Sequence, residues 1–157
     1  MTRKAWMWLI AVSVAALIGC ATLLQWIAVP RDTRIETSSA GTQVRRLVVM
    51  AHGLSGRESF DAAVELAREA LPDSDFVVFD VDSRVLSNQD PYRIAETMET
   101  AVNERVRSGN YDDVVLVGHS MGGLLLRKAL LWANGLERDR DAPRGLRPWA
   151  RKVSRFV

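Results

Sequence analysis

Val114-Val115-Leu116-Val117-Gly118-His119-Ser120-Met121-Gly122-Gly123 is the stretch on which the fold of this chain turns. Its first four residues are apolar and mostly β-branched, the composition of a buried strand. The run that follows, Leu124-Leu125-Leu126-Arg127-Lys128-Ala129-Leu130-Leu131, favours a helix. A strand, a sharp turn and a helix place the Ser120 hydroxyl at the top of a sheet. In so tight a turn the positions two before and two after the serine must lack bulk, and Gly118 and Gly122 stand there. Gly123 lets the helix pack close to the sheet.

A serine hydroxyl is a weak nucleophile, and it reacts only when exposed, oriented and served by a base. The turn supplies exposure. The Met121 N–H, near the positive end of the helix, would face the oxygen of an attacked carbonyl. A tetrahedral intermediate needs a second donor. The segment Ala51-His52-Gly53-Leu54-Ser55-Gly56, directly after the apolar run Leu47-Val48-Val49-Met50, offers one in the Leu54 N–H. The competing reading is a glycine-rich turn for phosphate binding or packing alone, but the chain has no G-x-G-x-x-G or Walker pattern.

Strand and helix patterns alternate through 44–157. Strands are expected at 44–50, 75–81 and 113–117, and the start of a fourth at 153–157. Helices are expected at 59–71, 91–108 and 121–133. Phe60, Val64, Ala67 and Leu71 form one helical stripe, and Ile94, Met98, Ala101 and Val102 another. Asp90 is the N-cap of the middle helix, with Pro91 at its first position, and Asn134-Gly135 ends the last. Apolar strands separated by helices imply parallel βαβ units, an α/β fold. Right-handed crossovers then bring both motifs to one edge of the sheet.

On these residues the chain resembles the α/β-hydrolase superfamily, in its lipase and serine-esterase branch. Leu47 to Leu54 are similar to that family's third strand and oxyanion loop, and Val114 to Gly123 to its fifth strand and nucleophile elbow. The resemblance covers 44–157 and implies a partial α/β-hydrolase fold. It implies that Ser120 is the nucleophile and that the Leu54 and Met121 amides form the oxyanion hole. It also implies that His119 is not the base and that His52 is structural; His52 remains the one substitute base on the correct edge. In family order an acid and then a histidine follow the nucleophile, yet no histidine follows Ser120. Asp139 and Asp141 come too early for the acid. The expectation is the N-terminal portion of a longer hydrolase of carboxylic esters or acyl lipids. The alternatives are a noncatalytic interaction domain, or an acyltransferase or amidase on the same scaffold.

Ahead of this domain lie a basic leader at 1–4, an uncharged apolar run at 5–29 and a polar linker at 30–43. At ~1.5 Å per residue the run is long enough to span the ~30 Å hydrocarbon core. Trp6, Trp8 and Trp26 lie near its ends. The reading is a single-pass N-terminal membrane anchor with the domain on the exported side. Arg31, Arg34, Arg45 and Arg46 weaken the charge argument for that orientation. A cleaved signal, or a lipoprotein modified at Cys20 within Leu17-Ile18-Gly19-Cys20, are the alternatives.

Of the chain's 157 residues a single one is cysteine, so no intrachain disulfide can form. Neither a metal site nor a cofactor is expected from two separated histidines. A net charge of +2 is too small to argue for nucleic acid. Arg138, Arg140, Arg144, Arg147, Arg151, Lys152 and Arg155, interleaved with Glu137, Asp139 and Asp141, read as a solvated loop. A reporter fused after residue 43 tests the orientation: activity on the exported side is expected, and cytoplasmic activity contradicts it.

Overall fold

The computed structural model describes residues 33–41, 45–53, 58–81, 89–136 and 145–157, together with Val12, Ala15, Ala16, Gly19 and Cys20. Five strands form one sheet: β1 (Arg34–Ser38), β2 (Arg46–Ala51), β3 (Ser74–Asp80), β4 (Asp113–Gly118) and β5 (Val153–Phe156). Three helices join them: α1 (Glu58–Ala70), α2 (Pro91–Ser108) and α3 (Met121–Ala133). A short 3-10 turn at Pro148–Lys152 leads into β5.

The strand order is β1-β3-β2-β4-β5. β2 pairs in parallel with both β3 and β4, and β4 with β5. β1 runs antiparallel on the β3 edge, with Ile35 opposite Phe79. This corrects the linker reading of 30–43, since 34–38 belong to the sheet. The apolar run at 5–29 lies outside the described residues, save for the five named above. Among the described residues no helix is long and apolar enough to cross a membrane.

The sheet sorts its side chains by the two-residue period of a strand. Leu47, Val49, Ala51, Val77, Phe79, Val114 and Leu116 face α2 and α3, where Met98, Val102, Leu126, Ala129 and Trp132 complete the larger core. Val48, Met50, Phe76 and Val78 face α1 through Phe60 and Val64. Ala67 and Leu71 pack at its margin. The chain steps from β2 outward to β3, then back past β2 to β4, so right-handed crossovers put α1 on one face and α2 on the other. That reversal makes a switch point between the C-terminal ends of β2 and β4, where the crevice of an open α/β sheet forms.

Local signals set the helix ends. The Asp90 carboxylate accepts from the Tyr92 N–H at 2.9 Å, and Pro91 opens α2. After α3, Gly135 adopts φ 69°, its N–H reaches Trp132 O at 2.9 Å and the Leu136 N–H reaches Leu131 O at 2.9 Å. This doubly bonded glycine cap turns the chain away from the helix axis.

Two basic residues read as solvated are instead structural. Arg147 Nε donates to Glu99 Oε1 at 3.1 Å, and its own N–H reaches Ala133 O at 2.8 Å. Lys152 donates to Tyr111 O at 2.5 Å. Together with buried Trp149 they dock the approach to β5. Arg138, Arg140 and Arg144 lie outside the described residues.

At the sheet edge opposite the switch point, buried Asp75 accepts from Tyr111 Oη at 2.5 Å, Arg105 Nη2 at 2.7 Å and the Ala40 N–H at 2.9 Å. Burial pushes the Asp75 carboxyl up, but hydrogen bonds from Tyr111, Ser39 and Ala40 and the Arg105 charge outweigh it and hold the group below the ordinary carboxylate range. Burial and the Asp75 bond push the Tyr111 hydroxyl up to about 12. A depressed carboxylate contributes stability above its unfolded pKa and loses it as pH falls through the folded one. For the raised phenol the contribution is complete below its unfolded pKa of ~10 and lost as pH rises toward the folded value. Urea unfolding across pH should therefore show both an acid and an alkaline limb. Asp75→Ala should lose about 3 kcal/mol at neutral pH and flatten both limbs.

Candidate active site

β4 ends at Gly118, level with Ala51 at the end of β2. The His119 N–H donates to Ala51 O at 3.0 Å, extending that pairing one residue beyond the strand. The chain then turns at Ser120, whose φ of 53° and ψ of −122° make it the one non-glycine residue with positive φ among those described. Such a conformation costs about 1–3 kcal/mol and persists only where its surroundings impose it.

The surroundings here are backbone contacts. A Cβ on Gly122 would lie 2.3 Å from Ala51 O and 2.5 Å from His52 O. One on Gly118 would lie 2.3 Å from Gly123 Cα. Gly122 is thus the residue that lets α3 approach the sheet, the role expected of Gly123. A Cβ at Gly123 would come no closer than 3.3 Å to Gly118 O. It is the backbone of residue 123 that leaves no room for a Cβ at 118.

Ser120 occupies the N-cap position of α3 but makes no capping hydrogen bond through its side chain. A capping serine has extended backbone and spends its hydroxyl on the helix. Ser120 does neither, and it is exposed. The first turn closes through Gly122 N–H to His119 O at 3.0 Å and Gly123 N–H to Ser120 O at 3.1 Å. The Met121 N–H has no backbone acceptor among the described residues.

The β2 loop arrives at the same place. A Cβ on Gly53 would lie 2.6 Å from Ser120 Cβ and 3.2 Å from its Oγ, so Gly53 flanks the serine directly. Leu54 lies outside the described residues. His52 is 2% exposed, and both ring nitrogens are engaged. Nδ1 is 2.9 Å from Gly53 O. Nε2 is 3.0 Å from Asp80 Oδ1 and 3.2 Å from the Val81 N–H. A ring so buried and occupied has no nitrogen left to serve Ser120, which removes His52 as a substitute base. His119 is exposed, and its backbone closes the turn.

Asp80 is the residue of this neighbourhood that motif reading passes over. Its signal is positional: it ends β3, so it reaches the edge where β2 and β4 also end. A cavity of about 640 Å³ opens elsewhere, between β1 and α2 beside Ile35, Asp90, Arg93 and Thr97. Among the described residues no group of three His, Cys, Asp or Glu side chains is placed to hold a metal ion.

A model of the alpha/beta hydrolase family matches residues 48–156. The chain belongs to the alpha/beta hydrolase family, as the sheet order and the strained turn already indicate. It is 31% identical over 93 residues to esterase YbfF of Escherichia coli K12, a match covering 59% of this chain and 34% of that protein. A solved alpha/beta hydrolase fold protein of unknown function superposes with a TM-score of 0.52 at 20% identity, covering 82% of this chain and 44% of the other. Esterase PE8 gives a TM-score of 0.43 at 19% identity, covering 64% of this chain and 58% of the other. The chain therefore spans about a third of the curated relative it matches.

Backbone strain at residue 120 is separable from its chemistry. Ser120→Gly should raise the unfolding free energy by about 1 kcal/mol, because glycine accepts positive φ without cost. Ser120→Ala retains the Cβ and should stay within about 0.5 kcal/mol of the parent. Urea denaturation of the two variants side by side reads the difference.

Proposed function

We propose that Ser120 is the nucleophile of a serine hydrolase acting on carboxylic esters or acyl lipids. The observation that carries this reading is the serine's conformation: positive φ, an exposed side chain, and a hydroxyl not used to cap α3. A noncatalytic domain has no need of that strain, which favours an enzyme over an interaction module. Family membership and the likeness to an esterase support the reaction class.

In the proposed reaction Ser120 Oγ attacks the ester carbonyl while a base takes its proton; the base passes that proton to the departing alkoxide oxygen, so the alcohol leaves and an acyl-enzyme remains. Developing charge on the carbonyl oxygen is met by the Met121 N–H at the start of α3 and by the Leu54 N–H. The base is not His52, both of whose ring nitrogens are engaged. The uncharged run at 5–29 supports a single-pass anchor that holds the domain at a membrane on the exported side. Water then releases the acid and regenerates the serine.

A fluorophosphonate probe tests the assignment on the full-length protein. One adduct is expected on Ser120, with labelling abolished in Ser120→Ala. Undiminished labelling of that variant, or no labelling of the parent, contradicts the proposal.

A further inference from the structure

We propose that the sheet edge carrying Ser120 is held against a lipid bilayer, so that the ester it hydrolyses is an acyl lipid resident in that bilayer. The inference rests on Ser120 as the nucleophile and on the run at 5–29 as an anchor.

The register of β1 sets the edge by which the chain enters the sheet. β1 runs antiparallel to β3, with Arg34 opposite Asp80 and Ser38 opposite Phe76. Asp80 is the last residue of β3. Phe79 is level with Ala51, and Ala51 is level with Gly118. Thr33 and Arg34 therefore stand at the edge where the parallel strands end, and Ser120 turns just beyond Gly118 at that same edge. The strand order β1-β3-β2-β4 puts three spacings of ~4.8 Å between β1 and β4, so Arg34 lies about 15 Å from the end of β4. A strand running parallel to β3 would have brought the chain in at the opposite edge.

The link between the apolar run and the sheet is short. Four residues, Pro30 to Thr33, separate Val29 from Arg34, and fully extended they reach about 14 Å. β3 has 7 residues, so the sheet is roughly 23 Å deep between its two edges. A domain seated on the bilayer by the opposite edge would hold Arg34 farther from the surface than the link extends. The link thus admits the edge with Ser120 and excludes the other.

The side chain beside the serine suits that placement. Leu124 is 68% exposed and lies one turn into α3, where its N–H reaches Ser120 O at 3.4 Å. Helical side chains lean toward the N-terminus, so Leu124 covers surface over the turn that holds Ser120. It gives an acyl chain an apolar wall next to the nucleophile. At the opposite edge the residue just before β3 is exposed Asp73, which a bilayer does not favour.

The full-length protein in phosphatidylcholine vesicles tests this. In a Cys20→Ser background, a bimane label on Leu124→Cys should be quenched by nitroxide-bearing headgroups several-fold more than one on Asp73→Cys. Equal quenching at the two sites, or more at 73, overturns the inference and leaves the anchor standing. Failure to float with the vesicles overturns the anchor and the inference together. Inserting about twelve Gly and Ser residues between Asp32 and Thr33 lengthens the link about fourfold. Hydrolysis of p-nitrophenyl palmitate carried in the vesicles should then fall about eightfold, as the −3/2 power of link length, while that of soluble p-nitrophenyl butyrate stays the same. An unchanged rate on the palmitate ester contradicts the proposal. Hydrolysis persisting in Ser120→Ala removes the nucleophile and with it the substrate claim, whereas the label readings bear on the edge alone.

Discussion

The contact on which this architecture depends is the approach of α3's first turn to the end of β2. The carbonyl oxygens of Ala51 and His52 lie where a Cβ on residue 122 would be, at 2.3 and 2.5 Å. Only glycine permits it. Because the helix can come this close, its N-terminus sits over the switch point of the sheet rather than beside it. The His119 N–H bond to Ala51 O draws the turn inward at the same level. With both restraints in place, the chain between Gly118 and Gly122 has no relaxed way round, and Ser120 takes the strained conformation. The exposure of the serine is thus a consequence of packing two residues away.

That arrangement divides labour across the sheet. The edge that carries Ser120, Gly53 and His52 holds strain, close backbone contacts and an open amide. The opposite edge holds the Asp75, Tyr111 and Arg105 network, which ties β1, β3 and α2 together. Hydrogen bonds to a buried carboxylate are among the stronger polar contacts a fold can make. They lie far from the chemistry, where rigidity costs the site nothing. An unstrained elbow would be more stable and would return the hydroxyl to capping the helix.

Much of this was legible in the chain. The parallel sheet, the helix spans and the meeting of the two motifs follow from apolar runs, glycine placement and crossover handedness. β1 was not legible, because Arg34-Ile35-Glu36-Thr37-Ser38 is an edge strand whose polar alternation resembles a linker; only its pairing with β3 defines it. Glu99 breaks the apolar stripe of α2 yet is fully buried, since Arg147 reaches it from 48 positions away. Periodicity cannot anticipate a partner so distant. Asp80 is hidden for the same reason: nothing near it in sequence announces His52. The exchange of Gly122 for Gly123 as the contact glycine is finer than any pattern of spacing resolves.

The central claim is that the strained Ser120 is the reacting group and that the Met121 amide faces its tetrahedral adduct. A crystal structure of the full-length protein inhibited by an alkyl phosphonate tests it directly. Phosphorus is expected on Ser120 Oγ, with a phosphonyl oxygen about 3 Å from Met121 N and φ at residue 120 still positive. Phosphorus on another residue, or a phosphonyl oxygen directed away from Met121 with residue 120 relaxed to negative φ, would contradict it.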